Sequence, residues 1–318
     1  MSLVASSIEL GLKSVLVATD FSKASEKPLR HALAIARHYG AKFYLANVVS
    51  SPAFTLAGPE VVRAAVDAAE RDARRLEDAL VQDGSLSSLR HEVIVRQGDL
   101  WEQLEDVIRQ QDIDLVVVGT HGRRGFSKLL LGSVAERIFR NANCLVLTVG
   151  PCSFDESPVG GVSAIRPFLF TTDFSQASLQ ALPFAISSAN HFGAQLVLLH
   201  VVPAFPAQDA SHHPNAGDLL KVRDEIRIAS LRGLHRLISQ NAPLTRKPEF
   251  LVEFGSPSET ILQTAETIQA DAIILGLHRL AYIATACHMP WATAYEVVCG
   301  ARCPVLTVRS DPETRAYA

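Results

Sequence analysis

The chain has 318 residues, 48% of them hydrophobic, and its 30 basic and 33 acidic side chains leave a net charge of −3. That balance excludes a basic nucleic-acid surface, since 18 basic meet 18 acidic residues up to Gly150 and 12 meet 15 after it. No apolar run reaches the ~18–20 residues of a membrane span, the first residues carry no positive segment leading into an apolar core, and five cysteines, mostly in apolar settings, fit a reducing compartment, so cytoplasm is expected.

The first predicted element is a strand at Ser14–Ala18, leading into Thr19-Asp20-Phe21-Ser22. Ser22 or Ser25 is expected to cap a helix that runs to His38 and stops at Gly40. Lys42–Val49 reads as the second strand, and Pro59–Gln82 has the alanine content and Glu/Arg pairs of a long amphipathic helix. A strand at His91–Arg96, a helix from Asp99 to Gln110, a strand at Leu115–Val118, a helix from Val134 to Arg140 and a strand at Leu145–Val149 complete the set. Near-continuous Val/Leu/Ile strands alternating with helices predict an α/β domain: a parallel five-stranded sheet covered on both faces, with right-handed crossovers.

All of this occurs twice. Ser14–Val49 and Pro167–Val202 align without a gap and share 16 of 36 residues, which marks tandem domains, not a short solenoid repeat. Residues 1–150 and 165–318 are read as the two domains, and the Gly/Pro/Ser-rich stretch at 151–164 as the linker.

The chemistry concentrates after the fourth strand of the first copy. Gly119-Thr-His-Gly122, nine further residues and Gly132-Ser133 form the pattern G-x2-G-x9-G-S. Glycines let backbone approach a ligand closely, and Gly132-Ser133 would set N–H groups and a hydroxyl at the positive end of a helix, a phosphate-holding arrangement. Arg123, Arg124 and Lys128 lie between. Their mutual repulsion would be relieved by an anion, so that Gly122–Leu131 would order on binding and present Phe126 and Leu129–Leu131 to a partner.

The stretch Gly119–Val149, with its flanking strand and its Ser-Val-Ala-Glu-Arg helix, resembles the nucleotide-binding region of the universal stress protein family, in its ATP-binding branch. The resemblance implies strand order 3-2-1-4-5, which puts the switch point between strands 1 and 4. It further implies that Ala18, Thr19, Asp20 and Val48 border an adenine and ribose. Val118, Gly119, His121 and Gly122 would follow the ribose and first phosphate, and Gly132, Ser133 and Val134 would hold the outer phosphates. Asp20 has an alternative task in capping its own turn, and His121 would act through backbone or ring.

The second copy departs from this pattern. Gly276 matches Gly119, but Arg279 stands for Gly122, Ala292 for Gly132 and Thr293 for Ser133. Leu280, Tyr282, Ile283, Met289, Pro290 and Trp291 replace the basic loop, while Asp173 and Val201 persist. Two readings stand: a domain kept for pairing and packing, or a site for a more apolar ligand.

Cys299-x3-Cys303, Cys287-His288 and His212-His213 lack the paired clusters of a zinc site, so no metal site in the protein itself is expected. No catalytic residue is proposed either. The expected function is regulatory: one adenine nucleotide (ATP, with ADP, AMP and an accompanying Mg²⁺ left open) bound in the first copy. The second copy would serve pairing, as an intramolecular pseudo-dimer, or contact an unknown protein partner. A further homodimer, a nucleotide-independent scaffold and a slow ATPase are the alternatives.

Overall fold

A computed structural model describes residues 11–50, 58–120, 131–151, 153, 166–203, 216–241, 243–277 and 290–309. The chain forms two compact units: Gly11–Ser163 with Val298–Leu306, and Ala164–Val297 with the chain ends.

In the first repeat the strands are β1 (Ser14–Ala18), β2 (Lys42–Val49), β3 (His91–Gln97), β4 (Leu115–Gly119) and β5 (Leu145–Val149). They alternate with α1 (Glu26–Tyr39), α2 (Pro59–Gln82), α3 (Leu100–Gln110) and α4 (Ser133–Asn141). The sheet order is β3-β2-β1-β4-β5 with every neighbour parallel, which agrees with the family resemblance. Central strands need apolar side chains on both faces, and Val15, Leu16, Val17, Val116 and Val117 are each fully buried. Each such side chain contributes ~1.5–3 kcal/mol relative to exposure. Helix ends follow local chemistry. Gly40 adopts φ 62 at the end of α1, and the Asp99 carboxylate caps α3 by accepting from the Trp101 and Glu102 N–H groups.

One expectation is corrected at the start of α1. Neither Ser22 nor Ser25 makes a side-chain cap bond. A 3-10 turn at Lys23–Ser25 precedes the helix, and the Asp20 carboxylate engages both serines instead, accepting from the Ser22 N–H and the Ser25 hydroxyl.

The second repeat follows the same path: β6 (Phe168–Thr171), α5 (Gln176–Phe192), β7 (Leu196–Pro203), α6 (Ala216–Ser239), β8 (Glu249–Gly255), α7 (Pro257–Thr267), β9 (Ala272–Leu277), α8 (Pro290–Gly300) and β10 (Val305–Arg309). Its order is β8-β7-β6-β9-β10, the same 3-2-1-4-5 pattern. Here α5 starts directly at Gln176, capped by the Ser175 side chain.

Candidate functional site

The site sits where the strand order of the first repeat reverses, at the carboxyl ends of β1 and β4. Val17 is in register with Val117, and Ala18 with Ala46, so Ala18 and Val118 end side by side with β2 flanking. Thr19 ends the ladder: its N–H donates to the Ala46 carbonyl at 2.9 Å, and its hydroxyl accepts from the Phe21 N–H at 2.9 Å. The chain then turns sharply, with Phe21 at φ 59. Asp20 Oδ1 accepts from the Ser22 N–H (3.0 Å) and the Ser25 hydroxyl (2.7 Å). Asp20 therefore shapes the turn, whatever it does for a ligand. Val48 lies half-buried near the end of β2, two residues beyond Ala46.

The second part of the site is the start of α4. Gly119 closes β4, and Thr120, 2% exposed, follows it. The Thr120 N–H donates to Val149 O at 3.1 Å, while its carbonyl accepts from the Gly132 N–H at 2.8 Å. These two bonds fasten the beginning and end of the glycine loop to one point. Gly132 caps α4 without a side chain, and Glu136 N–H returns to the Gly132 carbonyl at 2.8 Å. Helix geometry leaves the Ser133, Val134 and Ala135 N–H groups without intrahelical acceptors, at the positive end of the dipole. Ser133 is exposed there. His121 and Gly122, with Arg123, Arg124, Phe126 and Lys128 to Leu130, lie outside the described residues. The geometry thus brings together Ala18, Thr19, Asp20, Val48, Val118, Gly119, Gly132, Ser133 and Val134 at one edge of the sheet.

Behind this edge, α3 and α4 are tied. Arg137 donates to both carboxylate oxygens of Asp99, at 2.9 and 3.2 Å. The Glu102 N–H first, and then the Arg137 guanidinium, hold the Asp99 carboxyl below the usual range. The pair is exposed, so it contributes little to stability. In the second repeat Ser256 and Val297 stand at these positions, and α7 and α8 are linked elsewhere, by a hydrogen bond from the Ser258 hydroxyl to Glu296.

At the matching edge of the second repeat the turn survives. Phe174 has φ 61, its N–H donates to the Thr172 hydroxyl at 2.9 Å, and Asp173 Oδ1 accepts from the Ser175 N–H at 2.9 Å. Burial pushes the Asp173 carboxyl up, but hydrogen bonds from Ser175 and Ser178 together with its own backbone outweigh it and the net direction is down. Gly276 has a packing reason to be glycine. A Cβ there would lie 2.2 Å from the Ala177 carbonyl oxygen and 2.6 Å from the Ser178 nitrogen, in the first turn of α5. Arg279 lies outside the described residues, while Ala292 and Thr293 sit in the first turn of α8.

Sequence reasoning missed Asn47. Its Nδ2 donates to the Thr19 carbonyl at 2.7 Å, and in the second repeat His200 Nδ1 donates to the Thr172 carbonyl at 2.8 Å. The signal was present in the repeat alignment: two different side chains with N–H donors at one position of otherwise apolar strands. Among the described residues no group of three or more His, Cys, Asp or Glu side chains could hold a metal ion, and no helix is long and apolar enough to cross a membrane.

Comparison with known proteins places this architecture. The model of the universal stress protein family matches the chain twice, at residues 11–150 and 164–309. A universal stress protein of Methanocaldococcus jannaschii is 29% identical over 141 residues, covering 43% of this chain and 81% of its own. One from Synechocystis is 26% identical over 152 residues, 44% of this chain and 99% of its own. Among solved structures, a universal stress protein from Archaeoglobus fulgidus is similar over 93% of this chain and 98% of its own, with TM-score 0.63 at 20% identity. A functionally unknown protein from Pseudomonas aeruginosa covers 94% of this chain and 93% of its own, with TM-score 0.61 at 14% identity. A further match, a universal stress protein in complex with cAMP, reaches a TM-score of 0.31 at 23% identity, over 44% of this chain and 98% of its own.

Proposed function

The chain belongs to the universal stress protein family, and on that premise we propose that it is a stress-response regulatory protein binding one adenine nucleotide, ATP, in its N-terminal repeat. One observation carries the reading: the Thr19–Asp20 turn, Val48 and the Gly119 and Gly132–Ser133 ends of the glycine loop converge on one sheet edge at the switch point. Open α/β sheets bind ligands there. Ala18, Asp20 and Val48 would border the base and ribose, and the Ser133 and Val134 N–H groups with the Ser133 hydroxyl would meet phosphate oxygens. The donor set fits an anion: first-turn N–H groups without intrahelical acceptors at a helix N-terminus, beside a cap residue with no side chain. The function proposed is binding, with no catalytic step assigned.

The second repeat supports a different task. With Ala292 and Thr293 in place of the glycine-serine pair, it would serve pairing and protein contacts, and cytoplasm would be the compartment. Pairing of the two repeats as a pseudo-dimer rests on the family resemblance. Small-angle scattering tests it, since a packed chain of this length has a radius of gyration of about 20 Å and separated domains a clearly larger one. The nucleotide reading is tested by denaturing freshly purified protein and chromatographing what it releases, followed by titration of the stripped protein with ATP. Adenine nucleotide released or rebound supports it. Neither release nor rebinding would leave a nucleotide-independent scaffold.

A further inference from the structure

The clasp between β1 and β2 has a consequence for the base end of the site. Along β2 the backbone groups alternate between neighbours. Lys42 N–H donates to Lys13 O at 2.8 Å and Ala46 O accepts from Thr19 N–H at 2.9 Å, so even-numbered residues face β1. Phe43 N–H donates to Arg90 O at 2.8 Å and Val49 O accepts from Gly98 N–H at 3.3 Å, so odd-numbered residues face β3. Continued by one rung, the parallel ladder would send the Val48 N–H to the Thr19 carbonyl. That carbonyl is instead taken by the Asn47 amide at 2.7 Å, and β1 turns away through Asp20 and Phe21. The backbone edge of Val48 therefore faces the gap that β1 leaves.

We propose that Asn47 is the positioning residue of the base end: by donating to the Thr19 carbonyl it replaces the last rung of the β1–β2 ladder and holds the Asp20 and Val48 segments apart at the spacing a base requires. The inference rests on the nucleotide reading of this edge. The second repeat carries the same device with a different side chain. Thr172 N–H ends that ladder on Leu199 O at 2.9 Å, and His200 Nδ1 then takes the Thr172 carbonyl at 2.8 Å, before an identical left-handed turn at Phe174. Asn and His share little beyond an N–H donor at comparable reach. The position thus selects for the donor, not for a shape.

The test uses the full chain, with adenosine and ATP affinities measured by calorimetric titration and folding followed by thermal melting. Asn47→Leu removes the donor; Asn47→His keeps it as the second repeat does. Without the donor the free chain no longer holds the spacing and must re-form it on binding, which predicts about a fivefold weakening for Asn47→Leu if the ~1 kcal/mol of the lost bond is drawn from binding. The factor should be equal for adenosine and ATP, because the phosphate end is untouched, and Asn47→His should bind within about twofold of the wild type. If the leucine variant folds poorly, Asn47→Asp keeps the shape without the donor, and adenosine, which carries no phosphate, reads it free of repulsion between the new carboxylate and the ligand. Wild-type affinity in the donor-less variants, or a histidine variant as weak as the leucine one, would overturn the inference. A wild-type chain that binds neither ligand would overturn the nucleotide reading beneath it, and that failure appears before any substitution is made.

Discussion

Gly276→Ala separates the two reasons for which a glycine can stand at the end of the fourth strand. In the first repeat Gly119 belongs to a phosphate pattern; in the second, Gly276 lies against the first turn of α5. An added Cβ would approach the Ala177 carbonyl oxygen to 2.2 Å and its carbon to 2.4 Å, well inside ordinary contact. Both are backbone atoms, so no rotamer change relieves the clash and α5 must move away from β9. Overpacking costs typically 1–3 kcal/mol, and a backbone clash belongs at the upper end, so we expect about 3 kcal/mol. For a unit of this size that is a fall in melting temperature of about 6–12 °C. Gly193→Ala is the control: nothing lies within 4 Å of its added Cβ, and only φ +61 is strained, which costs about 1 kcal/mol. Urea unfolding followed by circular dichroism compares the two, with ATP affinity measured on the folded variants. Gly276→Ala should be clearly the less stable and should bind ATP as the wild type does. If it costs no more than Gly193→Ala, the close approach of α5 is not what retains the glycine. If it weakens ATP binding while stability holds, the second repeat takes part in the site.

Gly132→Val is expected to weaken ATP binding at least tenfold, ~1.4 kcal/mol, while the chain still folds, because φ −59 and ψ 148 suit any residue and a poorer N-cap costs only about 1 kcal/mol; calorimetry and melting check both halves. Asp99 gives a pH signature. Its folded carboxyl titrates below the usual range, so its stabilisation is complete above the unfolded pKa and is lost as pH falls through the folded one. The stability difference between wild type and Asp99→Asn should therefore shrink as pH drops from about 5 to about 2. A difference that stays constant across that range would rule out stabilisation of the Asp99 carboxylate by the Glu102 N–H and Arg137.

Strand positions were legible because each is a run of β-branched and aliphatic residues closed by Gly, Asp or a polar turn. Lys42–Val49 and Leu145–Val149 match residue for residue. Helix starts were less legible. Ser22 and Ser25 have the chemistry of caps and occupy the cap positions, but the Ser25 hydroxyl donates to Asp20 once Phe21 takes a left-handed conformation, and neither side chain accepts from a helix N–H. The convergence of the Thr19 turn with the Gly119–Ser133 ends followed from the family's strand order, which periodicity does not encode. Two features required coordinates. The reason for Gly276 is a tertiary approach of α5, which no local pattern records. The role of Asn47 depends on where the β1–β2 ladder stops, although its pairing with His200 in the repeat alignment already marked the position.

The central claim is a single nucleotide site, in the N-terminal repeat. Calorimetric titration of the stripped chain with ATP, run beside Gly132→Val, tests it most directly. One ATP per chain, strongly weakened in the variant, is the predicted result. Two equivalent sites, or one site indifferent to Gly132→Val, would contradict it.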